Sequence, residues 1–150
     1  AGFDMHIAYH NRRPVEGVAW RHEPSLLALA EWSDFLVLTV AASAGTRHLI
    51  NADVLAALGP HGLLVNVARG SVVDEAALIA CLHNGSLGAA ALDVFDDEPH
   101  VPEALLALDQ VVLAPHMASG TFETRQAMAD LMWANLRAGL AGEALPARAP

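Results

Sequence analysis

The sequence has only one cysteine, Cys81, among its 150 residues. An intrachain disulfide is therefore excluded, and the position of this thiol in the apolar run AALIACL predicts a packed side chain in a reducing compartment. Long apolar runs are also absent, since FLVLTVAA is the longest, so no membrane-spanning helix is expected. The first residues lack a basic leader followed by an apolar stretch, which predicts a cytoplasmic protein.

Basic residues are few, because eight Lys and Arg stand against 17 Asp and Glu, for a formal net charge of -9. Affinity for nucleic acid and for anionic membranes comes from Lys and Arg, so neither partner is expected. Small molecules and proteins remain as partners. The eight histidines form no H-E-x-x-H or comparable ligand cluster, and we therefore expect no metal site.

The sequence does contain a regular alternation of strand-like and helix-like segments. The strand-like runs are continuously apolar, as expected when helices cover both faces of a parallel sheet. Asp74 is a predicted helix N-cap, and Gly59-Pro60 and Asn84-Gly85 are predicted helix ends. The pattern predicts one α/β domain with a doubly wound, mainly parallel, Rossmann-like sheet. The predicted strands are Met5–Tyr9, Phe35–Val40, Gly62–Val67, Leu87–Val94 and Val111–Leu113, and the predicted helices are Ser25–Trp32, Ala52–Leu58, Asp74–His83 and Phe122–Leu140.

The last predicted helix carries an apolar stripe at helical spacing, which predicts that this face belongs to the core. Its members are Met128, Leu131, Met132, Leu136 and Leu140. The three tryptophans, Trp20, Trp32 and Trp133, are scattered along the chain and are predicted to pack.

No G-x-G sequence occurs anywhere in the chain. A dinucleotide-binding fold ordinarily opens with a strand, a G-x-G-x-x-G turn and a helix that receives the pyrophosphate. Met5–Tyr9 therefore corresponds to a second strand, and we expect the fold to be incomplete at its N-terminus. Because the first strand lies centrally in this topology, we also expect Met5–Tyr9 to present an unpaired backbone edge.

Three polar residues follow apolar strand-like runs: Arg69 after LLVNVA, Glu98 after AALDVFDD and His116 after VVLAP. Ligands of open α/β sheets bind outside the carboxyl ends of the strands. We therefore expect a cation, a carboxylate and an imidazole to meet there as an acid/base site with an anion anchor. Taken singly, each has a simpler interpretation: a surface salt bridge for Arg69, an acidic turn for Glu98 and a loop residue for His116.

Three stretches occur in a characteristic order: NVARGSVVDE from Asn66, ALDVF from Ala91 with Glu98-Pro99, and APHMAS from Ala114. With these motifs the chain resembles the D-isomer-specific 2-hydroxyacid dehydrogenases over nearly its whole length. The resemblance implies an NAD(P)-binding domain portion over residues 1–150, from the second strand onward. It places the substrate domain and the first βα unit outside this chain, which by itself is expected to be inactive.

The resemblance also implies an activity, the NAD(P)H-dependent reduction of a small 2-oxo acid such as glyoxylate or hydroxypyruvate to the D-2-hydroxy acid. Arg69 would bind the substrate carboxylate and carbonyl oxygen through its planar, permanently charged fork. His116 would be the acid/base that gives a proton to the carbonyl oxygen. Glu98 would orient this imidazole and favour its protonated form.

On the coenzyme side, the resemblance implies that Asp93 contacts the nicotinamide carboxamide. The residues along the nicotinamide would be Val67, Ala68, Ala118 and Ser119, and Val40 would belong to the adenine-side wall. Two positions depart from the family pattern, since relatives commonly have glycine where this chain has Ala118 and proline after the strand that ends near Val40.

The end of the first predicted strand bears on coenzyme choice, because NAD-specific relatives place an acidic residue there to bind the ribose hydroxyls. This chain has Asn11 followed by Arg12 and Arg13, and an arginine accommodates the 2′-phosphate of NADP. NADP is therefore expected to be preferred over NAD. The alternatives are that both arginines are ordinary surface charges and that Asn11 binds an unphosphorylated ribose.

Two other functions are compatible with the residues. One is a non-catalytic regulator that senses dinucleotides on the same fold, and the other is an inactive fragment of a parent enzyme. Relatives are commonly dimers, so a homodimer is expected for the parent protein.

Overall fold

The computed structural model describes residues 3–148. The chain divides into two compact units, the first ending at Pro115 and the second beginning at His116. All strands of the described residues lie in the first unit, together with four α-helices, and the second unit holds one long helix.

The main sheet of the first unit has four parallel strands in the order β3-β4-β5-β6. A separate parallel pair, β1-β2, precedes it in the chain. The α/β class and the parallel pairing agree with the sequence prediction, although β1 is shorter than expected and β2 was not predicted. The strands are β1 Ala8–Tyr9, β2 Arg21–His22, β3 Phe35–Leu38, β4 Leu63–Asn66, β5 Ala89–Leu92 and β6 Val111–Leu113.

Short-range signals decide where the helices begin and end. The Asp74 carboxylate accepts a hydrogen bond from the Ala77 N–H, as an N-cap does, and Gly59 and Gly85 take positive φ angles of 83° and 75° at helix ends. These caps were predicted correctly. The helices are α1 Leu26–Trp32, α2 Ala52–Leu58, α3 Glu75–Asn84, α4 Glu103–Leu106 and α5 Phe122–Ala141, with a 3₁₀ turn at Gly70–Val72.

The core of the first unit lies between one face of the main sheet and helices α1 to α3. Leu36 and Leu38 of β3 are buried in it with Leu55 and Leu78 of the helices, and Cys81 is buried there as predicted. The alternate side chains of β3, by contrast, are about half exposed, with Phe35 at 53% and Val37 at 54%. The alternate side chains of β4 and β5 are partly buried, so the second face of the main sheet is most exposed at its two edge strands, β3 and β6.

The two sheets of the first unit are not joined, since β1 pairs with β2 and with no other strand between residues 3 and 148. The unpaired edge expected for this strand is thus present. An apolar cavity of about 700 Å³ lies between β1 and β3. Its lining includes Met5, Ile7, Tyr9, Trp20, Phe35 and Val37.

The second unit corrects the prediction of a core face on the last helix. Met128, Leu131 and Leu140 of α5 are 54%, 46% and 82% exposed, and the other stripe residues, Met132 and Leu136, are exposed too. Helical spacing shows which side chains share a face, but it does not show what covers them, and this unit holds no second helix or strand among its described residues. None of the helices between residues 3 and 148 is long and apolar enough to cross a membrane.

The tryptophans are likewise more exposed than predicted. Trp20, Trp32 and Trp133 are 55%, 42% and 58% exposed. Trp32 has a contact suited to an exposed ring, because the Arg21 guanidinium lies 5.6 Å from its centroid. An indole combines apolar area with a polar edge, so tryptophan in a sequence does not by itself predict burial.

Candidate active site

A buried asparagine shapes the chain where β4 ends. Asn66 is only 1% exposed, its side-chain N–H donates to the Arg69 carbonyl at 3.1 Å, and its side-chain oxygen accepts from the Ala68 N–H at 3.0 Å. The amide therefore closes the turn that carries Val67, Ala68 and Arg69. Sequence reasoning gave Asn66 no role, and the available signal was a polar residue closing an apolar strand run.

The backbone after Arg69 passes against the segment that follows β5. A Cβ atom built on Gly70 would lie 1.9 Å from the Phe95 carbonyl carbon and 2.0 Å from its oxygen, so only glycine fits this approach. The neighbouring strands β4 and β5 make this approach possible, since Asn66 and Leu92 are paired and the Asp93 N–H donates to the Asn66 carbonyl at 3.0 Å.

We expect Gly70→Ala to destabilise the protein by about 1 to 3 kcal/mol, because the obstacle to the new methyl group is backbone and cannot rotate away. Urea unfolding of the protein as its gene encodes it would measure this change. Gly45→Ala is the matched control, since its nearest neighbour, the Ser43 Oγ, would be 3.8 Å away. Equal midpoints for the two variants would contradict the close approach.

Asp93 and Glu98 lie on the segment that Gly70 touches. Asp93 directly follows β5 and is 6% exposed, whereas Glu98 lies in an exposed turn. The Glu98 Oε1 accepts a hydrogen bond from the Phe95 N–H at 3.0 Å. The carboxylate is thus fixed on the same turn whose backbone packs on Gly70, the residue after Arg69.

The same turn is also held from α3 and from the loop after β3. The Arg47 guanidinium lies 3.6 Å from the Asp96 carboxylate, and the Asp96 N–H donates to Glu75 at 3.5 Å. The pKa of Glu75 is raised, mainly because the carboxyl group is partly buried. The hydrogen bond from Asp96 opposes this shift, and the negative charges of Asp96 and Asp97 add to it. These contacts fasten the Glu98 turn to the body of the first unit.

Arg69 is exposed, and its Nη1 donates to the Ala68 carbonyl at 2.6 Å. Within residues 3–115 no carboxylate comes within 4 Å of its guanidinium. In this part of the chain Arg69 therefore does not form the surface salt bridge that was the alternative interpretation of its sequence position. A guanidinium at a strand end without a protein anion is suited to hold a carboxylate or carbonyl oxygen of a ligand.

His116, Ala118 and Ser119 belong to the second unit and are exposed. His116 has a φ of 51°, which is uncommon for a residue with a side chain and is found disproportionately at functional sites. A tight turn follows it, closed by a hydrogen bond from the Gly120 N–H to the Met117 carbonyl at 2.8 Å. The meeting of His116 with Arg69 and Glu98 stays a prediction.

The residues assigned to coenzyme binding lie at two places in the first unit. Asn11, Arg12 and Arg13 are exposed after β1 and line a cavity of about 570 Å³. Val40 follows β3 and lines the apolar cavity between the sheets. Among the described residues, no group of three or more His, Cys, Asp and Glu has the arrangement of a metal site.

The first unit thus brings the turns of Arg69, Asp93 and Glu98 together at the carboxyl ends of β4 and β5. This is the edge at which open parallel sheets bind ligands. The cationic turn after β1 lies at the end of another strand of the same unit.

Comparison with known proteins identifies relatives that match almost the full length of this chain. A glyoxylate/hydroxypyruvate reductase A of Arabidopsis thaliana is 48% identical over 143 residues, which are 95% of this chain and 46% of the relative. A hydroxyphenylpyruvate reductase of Plectranthus scutellarioides is 46% identical over the same shares. The crystal structure of an NADPH-dependent glyoxylate/hydroxypyruvate reductase of Sinorhizobium meliloti, in complex with NADP and malonate, is 52% identical with a TM-score of 0.88.

That structure matches 91% of this chain and 43% of its own, so the chain spans about half the length of the relatives it matches. The sequence model described as "D-isomer specific 2-hydroxyacid dehydrogenase, NAD binding domain" matches residues 1–118. This match covers most of the chain, including β1 to β6 and the predicted site residues from Asn11 to Ala118. The chain therefore belongs to the D-isomer specific 2-hydroxyacid dehydrogenase family, in its NAD binding domain.

Proposed function

We propose that the protein carrying this chain is an NAD(P)H-dependent reductase that converts a small 2-oxo acid, such as glyoxylate or hydroxypyruvate, to the D-2-hydroxy acid. The observation that carries the proposal is the Arg69 guanidinium, exposed at the ligand-binding edge with no carboxylate within 4 Å among residues 3–115. The names of the relatives, all reductases, favour an enzyme over a dinucleotide-sensing regulator.

The three proposed catalytic residues have different tasks. Arg69 holds the substrate carboxylate and polarises the carbonyl oxygen, so that charge developing on this oxygen meets a fixed cation. His116 delivers a proton to the oxygen, and Glu98 orients the imidazole. The nicotinamide, when bound, supplies the hydride that reduces the carbonyl carbon.

The residues present fit parts of such a coenzyme. The cationic turn Asn11–Arg13 lines a cavity at a strand end. The buried Asp93 directly follows β5, and Val67 and Ala68 directly follow β4, the strand paired with it. We assign the turn to the ribose end, Asp93 to the carboxamide, and Val67, Ala68, Ala118 and Ser119 to the nicotinamide ring. Val40 is assigned to the adenine-side wall.

The domain assignment is part of the same proposal. Residues 1–150 form the coenzyme domain from its second strand onward, and a first βα unit and a substrate domain belong to the whole protein. The relatives are about twice as long as this chain, which supports this assignment. The apolar cavity between β1 and β3, where a central strand of this topology would lie, supports it too.

Coenzyme preference gives a direct prediction. Arg12→Ala is expected to weaken NADPH binding on the order of tenfold or more, because a charge-assisted bond to the 2′-phosphate is lost, while NADH binding changes by about twofold or less. Fluorescence titration of both coenzymes would measure this. Arg137→Ala, an exposed arginine of α5, is the control. Equal losses for the two coenzymes would refute the phosphate assignment.

The activity is tested with the protein as its gene encodes it. Glyoxylate, hydroxypyruvate and hydroxyphenylpyruvate would be offered with NADPH and with NADH, and chiral chromatography would identify the product isomer. Dinucleotide binding that changes assembly without turnover of any 2-oxo acid would instead favour the regulator. Sedimentation of the same sample would check the expected homodimer.

A further inference from the structure

The exposed turn that carries Arg12 and Arg13 is fastened to its surroundings at several points. It follows β1 and runs from His10 to Val15, and all its residues after His10 are exposed. Exposed turns with charged side chains are ordinarily mobile, so fastening such a turn needs a reason. Three side chains supply the contacts: Tyr9, His10 and His22.

The side chain of Tyr9, the last residue of β1, contacts the far end of the turn. Its hydroxyl oxygen accepts a hydrogen bond from the Val15 N–H at 2.9 Å, on the far side of the two arginines. Its ring lies 5.2 Å from the His22 ring, at 50° to it. Tyr9 therefore fixes the far end of the segment that contains Arg12 and Arg13, and its ring packs against His22.

Two histidines fix the near end of the turn. The His22 Nε2 lies 3.0 Å from the Asn11 carbonyl oxygen, and the His10 Nδ1 lies 2.9 Å from the Glu23 carbonyl oxygen. Both bonds join the turn to β2 and the residue that follows it. The Glu23 N–H in addition donates to the Tyr9 carbonyl at 2.8 Å. Both backbone groups of Glu23, its N–H and its carbonyl, are therefore hydrogen-bonded to the last residue of β1 and the residue after it.

We propose that Tyr9 is a positioning residue for coenzyme discrimination, whose hydroxyl holds the Asn11–Arg13 turn ready for the 2′-phosphate. This inference rests on the proposed preference for NADPH and adds to it the residue that organises the clamp. A turn already ordered in the free protein loses less conformational entropy when an anion binds, so its arginines bind the phosphate more tightly. NADH has no 2′-phosphate and gains little from this order.

The test uses Tyr9→Phe in the protein as its gene encodes it. This change removes one oxygen atom and leaves the ring against His22, so the fold is retained. We expect the Kd for NADPH to rise about fivefold, as for the loss of one hydrogen bond, and the Kd for NADH to change by about twofold or less. His22→Phe keeps an aromatic ring against Tyr9 and removes the bond to the Asn11 carbonyl. It should likewise raise the Kd for NADPH more than the Kd for NADH.

The comparison of coenzymes separates the two claims. Wild-type protein that binds NADPH and NADH equally would overturn the proposed NADPH preference and the role of Tyr9 with it. A preference that Arg12→Ala abolishes but Tyr9→Phe leaves intact would overturn the role of Tyr9 alone. Equal weakening of both coenzymes by Tyr9→Phe would also overturn it, because a purely structural residue acts on both.

Discussion

Replacement of His116 by glutamine is expected to lower kcat for glyoxylate reduction by about 10²-fold to 10⁴-fold, which is the range for loss of a positioned general acid. Glutamine is similar in size and can donate a hydrogen bond, but it cannot give up a proton to the carbonyl oxygen. Coenzyme affinity should change little, because the assigned task of this residue concerns the substrate oxygen. Steady-state kinetics combined with coenzyme titration would measure both quantities.

His61→Gln is the matched control for this prediction. His61 is an exposed histidine just before β4, at the opposite end of that strand from Arg69. Its replacement should leave kcat within about twofold of the wild-type value. A His116→Gln enzyme that behaves like this control would remove His116 from the mechanism and leave the proton donor to be found elsewhere.

Replacement of Arg69 by lysine is expected to lower kcat/KM on the order of 10²-fold, although the positive charge is kept. The guanidinium offers two parallel N–H donors to a carboxylate, whereas an ammonium acts as a point charge and cannot hold the carboxylate and the carbonyl oxygen in a fixed geometry. The loss should appear in both KM and kcat, because the same fork binds the ground state and polarises the carbonyl.

Arg125→Lys, an exposed arginine of α5, is the control for the second prediction. NADPH titration adds a further check, because Arg69 is assigned to the substrate and Arg12 to the coenzyme. A change in NADPH affinity as large as the change in kcat/KM would show that Arg69 acts on the coenzyme. Full activity of Arg69→Lys would show that charge alone suffices.

Much of the local structure was predictable because its causes lie within a few residues. Asp74 caps α3 by bonding to the N–H of the third residue after it, and Gly85 ends the helix with a positive φ angle. The sequence pattern predicted every strand of the main sheet. For one strand, β6, and one helix, α2, the predicted bounds are exact. The family motifs supplied candidate roles for Arg69, Glu98 and His116, since such assignments need only the order of residues.

Other features depended on segments that are distant in the sequence. From the sequence Gly70 is an ordinary turn residue, and only the close passage of the Phe95 backbone shows that a side chain at this position would clash. The contact of Asp96 with Arg47 and Glu75 joins three separate elements, and no local pattern predicts it. The role of Tyr9 likewise needs β2, a strand of two residues that is too short to give a periodic signal.

The sequence by itself therefore determined the α/β class, the caps and the family, because hydrophobic period, capping chemistry and motif order are all local properties of the chain. The tertiary structure alone decided that the turns of Arg69, Asp93 and Glu98 meet, that the β1-β2 pair stands apart from the main sheet, and that the stripe of α5 is exposed. The physical reason is that contacts between distant segments depend on which elements are present to pack against each other, and a periodic pattern specifies a face without specifying its partner.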